Sequence, residues 1–250
     1  MIQAKSARRR PRLAVPAFVA AIAILGSLHA ASAQETTAPA NPPVRSGRFE
    51  SDIEKFEARD KVTPPPSDAA LFVGSSSIRL WSTLAQDFPE IPVINRGFGG
   101  SDLTDSVTYA DRIVIPYKPR IIVVYAGSND LNAGHSPERV LADFKAFVAK
   151  VGAALPNTPI IYISINPSVS RAREFDDVVK TNGMIQAYVQ GRPHLTFIDS
   201  FTPLLGPDGK AQASLLRADG LHLNTQGYKV WTVIVKPTIL TVYRATAPVG

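Results

Sequence analysis

The chain predicts a three-layer α/β/α domain around a five-stranded parallel sheet, on three observations. Short apolar runs alternate with longer amphipathic ones along most of its length. The short runs are continuously apolar and rich in β-branched residues, as strands buried on both faces require. The 250 residues, 45% of them hydrophobic, suffice for one sizeable core and are too few to argue for two.

The N-terminal stretch is set apart from that domain. Met1 to Arg12 carry five cationic residues and no acid, residues 13–30 are apolar, and Ala31-Ser32-Ala33 offers a small-x-small cleavage pattern. Residues 1–33 are therefore expected to be a signal peptide, with an uncleaved anchor as the alternative. The expected product is exported, periplasmic or secreted, with no stable membrane association after cleavage. Residues 34–48, "QETTAPANPPVRSGR", hold too few large apolar side chains to pack and read as a flexible linker. The domain is expected over 49–245.

Its elements follow in order. Phe49, Ile53 and Phe56 recur at helical spacing, and the prolines after Thr63 stop that helix. Strands are expected at Ala70 to Gly74, Pro92 to Asn95, Arg120 to Gly127, Pro159 to Ile165 and Leu195 to Asp199. Helices are expected at Ser77 to Asp87, Asp102 to Val114, Pro137 to Ala154, Phe175 to Gln190 and Thr225 to Leu240.

Charge and composition exclude several classes. Lys5, Arg8, Arg9, Arg10 and Arg12 account for all but one of the formal +6, so the mature chain is nearly neutral, and no basic tract interleaved with aromatics suggests nucleic acid. The absence of cysteine excludes disulfides, thiolate catalysis and Cys-ligated zinc. No cofactor is expected, and the few histidines of the mature chain argue against a metal site.

In a parallel sheet, ligands bind beyond the carboxyl ends of the strands. Those positions read "GSSS", "NRGFGGSD" and "GSND", followed near the C-terminus by "ADGLHLNTQGY". Of four histidines, only His222 has a carboxylate, Asp219, three residues before it in a tight turn that can orient it as a base. One of the three serines, at the start of a helix, could meet that base as a nucleophile. Gly100 through its N–H and Asn129 through its amide could stabilise an oxyanion.

These blocks, in this order, resemble the SGNH (GDSL-type) hydrolases, whose signature residues are Ser, Gly, Asn and His. The resemblance spans the whole domain. It implies a flavodoxin-like α/β fold and a serine esterase mechanism, with Ser76 as nucleophile and Asp219 and His222 completing the triad. The oxyanion hole it implies is formed by Ser76, Gly100 and Asn129. Ser75 stands where the family usually has Asp, which points toward members similar to platelet-activating-factor acetylhydrolase. The expected reaction is hydrolysis of short-chain (acetyl-type) carboxylic esters of a small molecule or glycan. The alternatives weighed are an O-acetyl transferase acting on an extracytoplasmic glycan, a non-catalytic glycan-binding module on the same fold, and a flavodoxin-like nucleotide binder. The last lacks a Gly-rich phosphate loop. The segment "NPSVSRAREF" is expected to shape the pocket; oligomeric state is not predicted.

Overall fold

A computed structural model describes residues 47–246. The expected leader and almost all of the expected linker lie outside the described residues. Five strands, β1 (Ala70–Gly74), β2 (Val93–Gly97), β3 (Ile121–Tyr125), β4 (Ile160–Ile163) and β5 (Leu195–Ile198), form one sheet in the order β2-β1-β3-β4-β5. Every pairing is parallel. All five expected strands are present, so the predicted fold class is the observed one.

Eight helices among the described residues cover the sheet: α1 (Glu50–Val62), α2 (Ser76–Arg79), α3 (Leu84–Asp87), α4 (Leu103–Ile113), α5 (Ser128–Asn132), α6 (Pro137–Ala154), α7 (Phe175–Val189) and α8 (Thr225–Ala245). Successive strand residues point to opposite faces, so each central strand feeds two cores. Leu71 and Val73 of β1 join Phe144 and Phe147 of α6 and Ile185 of α7 on one side. Ala70 and Phe72 join Trp81 and α8's Trp231 and Val235 on the other. Among the described residues no helix is long and apolar enough to cross a membrane.

The structure corrects the sequence reading in three places. The helix expected over Ser77 to Asp87 is two short helices, α2 and α3, separated by a turn at Leu80 to Thr83. Trp81 is buried there and donates its indole N–H to Asp87 Oδ2 at 2.6 Å. Residues six apart on a continuous helix point about 120° away from one another, so this bond requires the break. The strand expected to reach Gly127 ends at Tyr125, and the unpredicted α5 begins at Ser128. Finally, α8 continues past Leu240 to Ala245 despite Pro237 inside it. Pro237 cannot bond the Val233 carbonyl four residues back, but Val233 is exposed, which leaves that carbonyl to solvent.

Candidate active site

The three serines at the end of β1 divide into two that hold the turn and one that faces outward. Gly74 takes φ +144°, and a Cβ there would lie 2.0 Å from the Tyr125 carbonyl oxygen, so only glycine lets the chain leave the sheet at this point. Ser75 is buried; its N–H donates to that same carbonyl at 3.1 Å, and its own carbonyl accepts from Ile78 and Arg79. Ser77 is buried as well, and its carbonyl accepts the Tyr228 hydroxyl at 2.8 Å. Ser76, between them, is only partly buried. As the first residue of α2, it has an N–H with no acceptor one helical turn earlier.

His222 meets Ser76 across 146 residues of chain, with Nε2 2.9 Å from Ser76 Oγ. Its Nδ1 lies 2.7 Å from Asp219 Oδ2. The other carboxylate oxygen, Oδ1, accepts the N–H groups of Leu221 and His222 at 2.9 Å each. The His222 ring, followed by its N–H and that of Leu221, holds the Asp219 carboxyl well below the usual carboxylate range. An ionised carboxylate at Nδ1 makes that nitrogen the donor and leaves Nε2 to accept from the serine. The turn is pinned by Arg217 N–H donating to the His222 carbonyl at 2.7 Å and by a Leu216–Leu223 bridge.

Asn129 sits in the first turn of α5. Its Nδ2 donates to the Ser101 carbonyl at 2.9 Å, and its Oδ1 accepts from Arg171 Nη2 at 3.0 Å. Flipping the amide would set oxygen against carbonyl and NH₂ against guanidinium, so the two partners fix which end points which way. One Nδ2 hydrogen remains for a ligand. Ser76, Asn129, His222 and Arg171 line one small cleft, together with Ser168 and Asn166.

Gly100 is not among the residues lining that cleft. It lies next to Ser101, the residue that anchors Asn129, and takes φ +84°. Its carbonyl accepts from Arg48 at 3.3 Å, and its N–H has no hydrogen-bond partner among the described residues. The structure thus brings Ser76, Asn129, Asp219 and His222 together and places Gly100 at the edge of that group.

Arg171 is the residue the sequence reading did not single out. It lies in the segment expected to shape the pocket, but its two contacts, Nη1 to Ser128 Oγ at 2.6 Å and Nη2 to Asn129, arise only from the fold. Away from the cleft, ligand-type atoms of Asp130, His135 and Asp143 lie within 4.8 Å of one another. Two of the three are already engaged, Asp143 by Arg139 and Thr104 and Asp130 by the Leu103 N–H. Burial pushes the Asp130 carboxyl up to about 7.

The family model of the GDSL-like lipase/acylhydrolases matches residues 71–230, which takes in all four signature blocks. The chain belongs to this family. It is accordingly an enzyme of the ester-hydrolysing class. Solved structures share the fold at low identity. A GDSL-like lipase from Bacteroides thetaiotaomicron aligns with a TM-score of 0.66 and 20% identity over 76% of this chain and 98% of its own. A carbohydrate esterase of family 3 from Talaromyces cellulolyticus aligns at 0.60 and 16% identity over 73% and 100%. A lipase/acylhydrolase from Enterococcus faecalis aligns at 0.56 and 19% identity over 73% and 99%. No curated protein matches.

Proposed function

We propose that this acylhydrolase is an exported serine esterase that removes short acyl groups, acetyl foremost, from small-molecule or glycan esters. The observation that carries this reading is the continuous hydrogen-bonded line from Asp219 through His222 to Ser76.

In the proposed reaction His222 Nε2 takes the Ser76 proton as Oγ attacks the ester carbonyl, and the carbonyl oxygen becomes an oxyanion. The N–H groups of Ser76 and Gly100 and the free Nδ2 hydrogen of Asn129 receive that charge. Collapse expels the alcohol with the proton His222 holds. Water then attacks the acyl-Ser76 ester, giving its proton to the same nitrogen, and release of the acid restores the serine. Asp219 keeps the ring oriented and stabilises its charged form without taking the proton.

Support for a short acyl group comes from the smallness of the cleft. Support for a glycan ester comes from the fold shared with the Talaromyces carbohydrate esterase, and support for export comes from the leader pattern in residues 1–33. The test is hydrolysis of p-nitrophenyl esters of increasing acyl length, with mass analysis of enzyme quenched during turnover. The expected result is highest kcat/KM for acetate and an acetyl adduct on the peptide carrying Ser76. No hydrolysis of any ester, or an adduct elsewhere, would refute it.

A further inference from the structure

The arginines of the described chain sort by burial and partner. Five are at least partly buried: Arg96, Arg112, Arg120, Arg139 and Arg171. The first four each touch a carboxylate, Asp60, Glu50 and Glu57, Asp68, and Asp143 respectively. Arg171 is the exception among the described residues. Both of its hydrogen bonds go to neutral oxygens, Ser128 Oγ and Asn129 Oδ1.

This is an unusual place for a guanidinium without a counterion. Burying a cation is costly unless an anion accompanies it, and burial holds the Arg171 pKa below the usual arginine value. Glu174 acts on it only through space and contacts Arg173 instead. Arg171 also has five N–H donors, of which two are used. It lines the same cleft as Ser76 and His222, alongside Ser168 and Asn166.

We propose that Arg171 receives a carboxylate carried by the substrate, so that the preferred ester is anionic close to its scissile bond. A planar carboxylate matches the guanidinium fork, and a charge-assisted pair in a half-buried cleft is stronger than one at the open surface. The proposal rests on the esterase reading centred on Ser76. It adds to that reading the charge of the substrate. The carboxylate could sit on the acyl side or on the alcohol side of the ester, and both place an anion at the same residue.

Two matched pairs separate these sources. On the acyl side, p-nitrophenyl hemisuccinate is compared with p-nitrophenyl butyrate; on the alcohol side, 4-acetoxybenzoate is compared with its neutral methyl ester. Each kcat/KM is normalised to the ester's alkaline hydrolysis rate. In at least one pair the anionic ester is expected to be favoured about tenfold at low salt, with the preference shrinking as salt is raised. Arg171→Gln should abolish the preference, and Arg171→Lys, which keeps the charge but not the fork, should retain part of it. Because Arg171 also holds Asn129, the readout is the ratio within a pair rather than the absolute rate.

A ratio at or below one in both pairs of the wild-type enzyme overturns the proposal while leaving the esterase reading intact. So does a preference that survives Arg171→Gln, or an Arg171→Gln loss that is equal for neutral and anionic esters, which would make Arg171 a positioning residue for Asn129 alone. If none of the four esters is cleaved, the esterase reading fails and the proposal with it. Should Arg171→Gln not fold, the wild-type ratios and Arg171→Lys decide.

Discussion

Ser76 leaves a turn locked by the protein core, whereas His222 leaves a turn that supplies most of its own hydrogen bonds. The serine turn has Gly74 pressed against the Tyr125 backbone, and buried serines on both sides of the exposed one. The histidine turn is open, with the Asp219 side chain 46% and the His222 side chain 22% exposed, and its order comes from three bonds to one carboxylate. The proposed nucleophile is therefore placed by packing and the proposed base by local polar geometry. Damage to the first should appear in folding, and damage to the second in catalysis.

The largest effect expected is on the reacting group. Ser76→Ala should lower kcat by about four orders of magnitude or more with the melting temperature nearly unchanged, since this half-exposed hydroxyl is not part of the turn's support. Ser75→Ala and Ser77→Ala are the controls. A dead Ser75 or Ser77 variant beside an active Ser76→Ala enzyme would move the nucleophile to that serine and refute Ser76.

Next come the two turn glycines, which sharpen the comparison directly. Gly74→Ala should cost about 3 kcal/mol or more, because its methyl would meet a backbone oxygen that cannot move away without breaking β3. Gly220 has φ +64°, which strains a side chain modestly, and a Cβ there would lie 3.3 Å from the Ser170 nitrogen, a tight contact but not the overlap met at Gly74. Gly220→Ala should cost about 1 kcal/mol in urea denaturation. Equal costs would mean that the histidine turn is as deeply locked as the serine turn.

A smaller catalytic effect is expected at Asp219. Asp219→Asn should lower kcat/KM by about 10- to 100-fold, less than His222→Ala, since the residue is half exposed and transfers no proton. Adding it to His222→Ala should change almost nothing. Hydrolysis is measured from pH 5 to 9, and a wild-type rate throughout would remove Asp219 from the machinery.

The smallest effect concerns Asp130, which belongs with the core-placed group: it is fully buried and holds the Leu103 N–H beside Asn129. Its carboxyl is raised from 3.8 to about 7 by burial, so the folded protein binds a proton that the unfolded chain releases between those values. Stability from this group is therefore intact below pH 4 and declines as pH rises toward 7. Asp130→Asn keeps the acceptor without the charge. It should be near wild type at pH 4 and gain stability relative to it progressively as the pH is raised to 8. A difference independent of pH would show that Asp130 does not titrate in this window.

The sequence revealed what local pattern controls. The central strands stood out because burial on both faces forces unbroken apolar runs, and Asp219 with His222 could be paired because three residues of one turn carry both. Which serine faces the base could not be read from "GSSS" without family resemblance, since all three have the same chemistry and only the Gly74 turn distinguishes them. The break between α2 and α3 was hidden because Ile78, Trp81 and Leu84 keep a helical apolar spacing while the Trp81–Asp87 bond imposes another path. Arg171 was invisible because its partners lie 42 and 43 residues away, on a different strand's exit.

The loop after β4 ties these regions together. Val169 and Ser170 both donate N–H groups to the Gly220 carbonyl, at 2.8 and 3.0 Å, and the next residue, Arg171, grips Asn129. The loop is thus a ruler whose length sets the spacing between the proposed base and the proposed oxyanion donor. For anyone redesigning substrate choice, this divides the loop into two kinds of position. Side chains at Ser168 and Val169 can be varied, since the backbones of Val169 and Ser170 do the measuring, and such libraries should yield enzymes of altered preference. Insertions or deletions between Asn166 and Arg171 would shift both ends of the ruler at once and should yield folded but inactive proteins.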